Sequence, residues 1–173
     1  MTPEDDTLTA YHEAGHAVVG FALGATIEQI QLGGFDDFDC LPRRFGECRV
    51  NWGRVEVSGT QPKTDWQLQR ELLTVLAGPV AEMIYRDDFV HPALDGPSQG
   101  DWSQAWELTR VVAPDPQYRT RLLEQLVALL RQAMGRDAWW AAIAAVADEL
   151  LAHELLDAEH TAQTLGFWIG RLQ

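Results

Sequence analysis

The chain has a single lysine, Lys63, and no run of basic residues. Its 26 acidic and 13 basic side chains give a formal net charge of -13. So anionic a surface repels phosphate backbones and anionic headgroups, so neither nucleic acid nor an anionic membrane is an expected partner. Long apolar runs are missing as well. The longest, Ala138 to Ala147, falls far short of the ~20 residues that span a bilayer, and no membrane insertion is expected. Met1 to Asp6 is acidic and lacks the apolar segment of a signal peptide, which points to the cytoplasm. There are only two cysteines, Cys40 and Cys48. One pair makes neither a disulfide framework nor a zinc ribbon, so free thiols are expected. No phosphate-binding GxxxxGKS or GxxxxGKT occurs, so no ATPase motor is expected in this chain.

What is present suffices for one folded domain over 1–173. Hydrophobic residues make up 46% of the chain, and no repeat, low-complexity tract or linker interrupts it. The pattern predicts a mainly α protein with a small antiparallel β-sheet. A first long helix is expected near 3–23, capped by Thr2, with Pro3 at its first position and Gly24 ending it. Gly15 and Gly20 inside it suggest close approach of another backbone. A β region follows over 25–58. Ala25 to Leu32 reads as a strand, 35–46 as a loop, and the alternating Glu47 to Ser58 as one bulged strand or a short hairpin. A second long helix is expected near 65–85, opened by Pro62 and Thr64, with an apolar stripe of Leu68, Leu72, Val75, Leu76, Val80 and Met83. Pro79 within it predicts a kink and a cost of about 3 kcal/mol. The remainder, 101–173, reads as helical: about 101–112 with Ser98 or Gly100 as cap, Pro116 to near Gly135 capped by Asp115, about 137–153, and a short helix from near Asp157. Seven tryptophans, with Trp139 and Trp140 adjacent, serve either the core or a partner surface.

The chemistry centres on His12-Glu13-Ala14-Gly15-His16. On a helix, residues four apart share a face, so both imidazoles can reach one metal ion while Glu13 stands by to take a proton from water. The neighbours Tyr11, Ala14, Gly15, Ala17, Val18 and Val19 make the helix apolar or small almost all round, which predicts burial. Buried imidazoles and a carboxylate need partners: either a metal or a hydrogen-bonded core cluster. A catalytic zinc site takes three protein ligands. The extended pattern HExxHxxGxxH is excluded, since Val19 and Ala22 occupy the positions it needs. The third ligand must lie farther along, with Asp101, Glu82, His91, Glu71 and Glu107 as candidates. His91 is expected to be simply exposed, and His153 and His160 to lie on the surface.

The segment Tyr11 to Val19 resembles the zinc-binding helix of the FtsH-type ATP-dependent metalloproteases. Leu76-Ala77-Gly78-Pro79-Val80-Ala81-Glu82 resembles a second helix of that family, and Gly100-Asp101-Trp102-Ser103-Gln104-Ala105 the segment that carries its third ligand. The helices between Ala138 and Leu156 resemble its C-terminal pair. The resemblance implies a zincin-like helical peptidase domain with one Zn2+ per chain, held by His12, His16 and Asp101. It implies Glu13 as the general base and Glu82 as a residue orienting a ligand histidine. The chain departs from the family at Pro79, over 35–57 and in lacking the motor.

A zinc metallopeptidase acting on unfolded proteins or peptides is therefore expected. The strand at 26–32 would pair with an extended substrate. A separate partner protein and a homo-oligomer are both compatible with the sequence. The alternative is a non-catalytic, zinc-bearing interaction module on the same scaffold. A third reading is a metal-free helical protein in which the motif is coincidental.

Overall fold

The computed structural model describes residues 3–33, 46–53, 65–88, 90–94 and 98–169. Six helices and three strands follow in the order α1 (Pro3–Ala22), β1 (Thr26–Leu32), β2 (Gly46–Asn51), α2 (Asp65–Arg86), α3 (Gln99–Leu108), α4 (Pro116–Met134), α5 (Asp137–His153), β3 (Leu155–Asp157) and α6 (Ala158–Ile169). The expected class, mainly helical with a small antiparallel sheet, is what the chain adopts.

Helix α1 lies at the centre. It packs against α2, α5 and the sheet, and every residue from His12 to Gly20 is buried. This is the burial that its apolar circumference predicts. Its partner α2 is buried almost continuously from Glu71 to Met83. The two helices meet at Gly15, where a Cβ would stand 2.6 Å from the Ala77 carbonyl oxygen and 2.8 Å from Ala81 Cβ. At Gly20 the corresponding neighbour is Thr74 Cγ2, at 3.2 Å. Both glycines thus sit where the second helix comes close. Pro79 is buried within α2, which continues through it to Arg86. Gly24 ends α1 with a φ of 91°, as its position in the sequence predicts.

The sheet has the order β2-β1-β3, both pairings antiparallel. A register shift falls in β1, between Ile27 and Gln29. The expected bulged strand or hairpin at 47–58 runs beyond the described residues. One expectation needs correction: β1 is the central strand, flanked by β2 and β3, so it does not offer the free edge that substrate pairing at 26–32 would need. Among the described residues, β2 and β3 lie at the edges instead. The expected loop at 35–46, apart from Gly46, the caps Thr2, Pro62 and Thr64, and the continuation of the second strand at 54–58 lie outside the described residues.

The segment 101–173 is not wholly helical. Strand β3, Leu155–Asp157, interrupts the helical pattern expected there. It forms because Glu154, in a left-handed conformation with φ 60°, ends α5 and turns the chain back. The Glu154 carbonyl accepts a 2.8 Å hydrogen bond from Leu32 N–H, and Leu156 is buried opposite Ile30. Asp115 caps α4 as expected, accepting from Tyr118 N–H at 2.8 Å. Helix α3 ends at Leu108, short of 112. Ser98 occupies its N-cap position without a side-chain cap bond, and Gly100 lies inside the helix. Six tryptophans pack partly buried against the core, while Trp66 is exposed, so most of them serve packing.

Candidate metal centre

Helices α1, α2 and α3 bring the predicted residues together. His12 and His16, one turn apart on α1, point their Nε2 atoms to within 3.0 Å of each other. Asp101, in the first turn of α3, places Oδ2 2.9 Å from His12 Nε2 and 3.7 Å from His16 Nε2. Metal bonds of about 2.0–2.2 Å at tetrahedral angles set neighbouring donors roughly 3.4 Å apart, so these three atoms could hold one metal ion. Among the described residues, this is one of two His/Cys/Asp/Glu groups whose ligand atoms converge this closely.

The other ring nitrogens are also held. His12 Nδ1 lies 2.7 Å from Glu82 Oε1, and His16 Nδ1–H donates to the Thr74 carbonyl at 2.8 Å. A carbonyl only accepts, so it fixes the proton of His16 on Nδ1 and turns the Nε2 lone pair toward Asp101. Glu82, only 1% exposed, also pairs through Oε2 with Arg86 at 3.0 Å. Glu82 thus stands against the ring nitrogen of His12 that faces away from Asp101. Gly78 completes the cradle from α2: a Cβ there would stand 2.7 Å from His12 Nε2 and would overlap the His16 ring. The sequence reading singled out neither Thr74 nor Gly78. A backbone acceptor leaves no sequence signal, whereas a glycine inside an apolar helix does leave one.

Glu13 is buried beside the two histidines and reaches toward β2. A Cβ on Gly46 would lie 2.6 Å from Glu13 Oε1. Burial raises the Glu13 pKa, the charges of His12 and His16 oppose the rise, and those of Asp101 and Glu82 add to it, leaving a net upward shift. Burial alone would lower His12. Hydrogen bonds that His12 donates to Asp101 and Glu82, with the Glu13 charge, outweigh that and lift it to about 10. His16 rises for a similar reason, as Asp101 overcomes burial. Burial pushes Asp101 up, but the two imidazoles prevail and hold it well below the usual carboxylate range. The carboxylates thus favour positive charge between them, whether carried by protons or by a metal.

A cleft of about 300 Å³ opens beside the cluster, with His16, Asp101, Cys48, Trp52, Glu71 and Gln104 in its walls. Glu71 therefore faces the cleft without belonging to the converging donors. Glu107 is exposed and pairs with Arg110 at 3.6 Å. His91 is half-buried, contrary to expectation, its ring 4.5 Å from that of Trp102. Cys48 is a free thiol and half-buried, while Cys40 lies outside the described residues. No family model matches the chain, and the search of curated proteins returned no match.

Proposed function

We propose that this chain is a zinc-dependent metallopeptidase of the FtsH-peptidase type, acting in the cytoplasm on unfolded proteins or peptides. One observation carries the reading: the ligand atoms of His12, His16 and Asp101 converge, with the buried carboxylate of Glu13 next to them. His12, His16 and Asp101 would hold the cation. When bound, it supplies a Lewis acid that polarises the scissile carbonyl and acidifies water. Glu13, with its pKa raised, accepts the proton from the attacking water and returns it to the leaving amine. Glu82 and the Thr74 carbonyl keep the imidazoles aimed. Among the described residues β2 lies at an edge of the sheet, with Gly46 against Glu13, and so suits backbone pairing with an extended chain better than the central β1 does. None of the described helices is long and apolar enough to cross a membrane.

The test is metal content and hydrolysis measured together. Wild type purified without chelator or affinity metal should carry zinc at this centre, and His12→Ala should lose it. Glu13→Gln should keep the metal and lose cleavage of an unstructured peptide library. Cleavage by Glu13→Gln equal to that of wild type would remove the general base. Metal without hydrolysis in wild type would instead assign a non-catalytic zinc-bearing module.

A further inference from the structure

We propose that Glu149, His153 and His160 form a second divalent-metal site, of the zinc class, on the seam between α5 and α6. It is independent of the centre built on His12. Glu149 and His153 are four residues apart on α5 and so share one face. The chain then reverses at Glu154 and runs through β3. Asp157 Oδ1 accepts from His160 N–H at 2.9 Å, which sets the start of α6 and turns His160 back toward α5. The result is three ligand atoms at one point. Glu149 Oε2 lies 3.0 Å from His160 Nε2 and 3.4 Å from His153 Nε2. The imidazole rings stand 5.2 Å apart at 63°.

These separations match the roughly 3.4 Å between neighbouring donors around a tetrahedral zinc. The donor set points the same way: two imidazoles and one carboxylate are a combination that a zinc-class cation takes, the rings as neutral ligands and the carboxylate as an anion. The surroundings are acidic: Asp148, Glu154, Asp157 and Glu159 lie close in sequence, in a chain of net charge -13. The side chains of Glu149, His153 and His160 are 41%, 54% and 37% exposed, so the site is open to solvent and its fourth position is free for water. A cation there ties α6 to α5 and holds β3 in place between them.

The experiment is equilibrium dialysis of the full chain against buffered micromolar free Zn2+, comparing wild type with His153→Ala/His160→Ala. Circular dichroism reports that the variant is folded. Wild type should bind one zinc more than the double variant. Adding Zn2+ should raise the Tm of wild type above that of the variant, and Glu149→Gln should weaken the extra equivalent at least tenfold. Equal stoichiometry and affinity in wild type and double variant overturn the proposal. Because the readout is a difference at residues 149, 153 and 160, it remains decisive even if His12, His16 and Asp101 bind no metal.

Discussion

His12 and Glu82, 70 positions apart in the sequence, are joined by a 2.7 Å contact between Nδ1 and Oε1 inside the protein. The link ties the His12 ring on α1 to the C-terminal part of α2 and sets the imidazole's direction. Glu82→Gln keeps the shape but removes the anion that strengthens the ligand. Zinc affinity at this centre should fall 10–100-fold, as is typical for loss of such outer partners. A competition titration against a chromogenic chelator reads it. Unchanged affinity would mean that Glu82 serves the Arg86 pair alone.

Gly78 and Gly15 predict opposite phenotypes. The atoms nearest a Cβ at Gly78 are ring atoms of His12 and His16 and not backbone, so Gly78→Ala should displace the rings and abolish metal binding at this centre. The metal-free fold should tolerate it, since Ala favours a helix by about 1 kcal/mol over Gly. A Cβ at Gly15 meets the Ala77 backbone at 2.6 Å, which cannot swing away. Gly15→Ala should therefore destabilise the whole protein by about 1–3 kcal/mol, the usual range for overpacking. Thermal melts with and without chelator separate the two.

Zinc removal should lower stability by mass action. At a free concentration 100 times Kd, a ligand that binds only the folded state contributes about 2.7 kcal/mol. Chelation should therefore lower Tm by several degrees, at roughly 2–4 °C per kcal/mol for a chain of this size. His12→Ala should show no such response once residues 153 and 160 are also replaced.

Cys48 predicts a pH dependence. Burial, with the charges of Glu13 and Glu47, pushes its thiol well above the usual value. An unfolded thiol ionises near pH 8.5, whereas the folded one stays protonated. The folded state then binds more protons, so stability falls as pH rises above about 8.5. In a Cys40→Ala background, thiolate absorbance near 240 nm should be missing from the native protein at pH 9 and should appear on unfolding. Native absorbance at that pH would show that the thiol is not shielded.

The helices were legible because period, caps and breakers agreed. Asp115 with Pro116, and Gly24 after α1, mark their boundaries correctly. The His12 and His16 pair was legible because four-residue spacing on a helix is itself geometry. Asp101 was not readable from spacing. Its closeness to the histidines depends on how α3 packs on α2, and only the family resemblance separated it from Glu71, Glu82, His91 and Glu107. Strand β3 was hidden by its brevity, since three residues carry no period and Leu155 and Leu156 continue the apolar pattern of α5. The pairing at Glu149 was also hidden. His153 and His160 lie on different helices, and the turn at Glu154 that joins them has no glycine to announce it.

The strand order also dictates a sequence of events during synthesis. β1 emerges just before β2 and can pair with it soon afterwards, but its other edge waits for β3, which follows only after four helices. Until Leu155–Asp157 arrive, Gln29 to Leu32 expose unpaired backbone groups beside apolar side chains, a template for pairing with neighbouring chains. The nascent protein should therefore be most aggregation-prone before α6 is made. Truncations ending short of residue 155 should be less soluble than the intact chain.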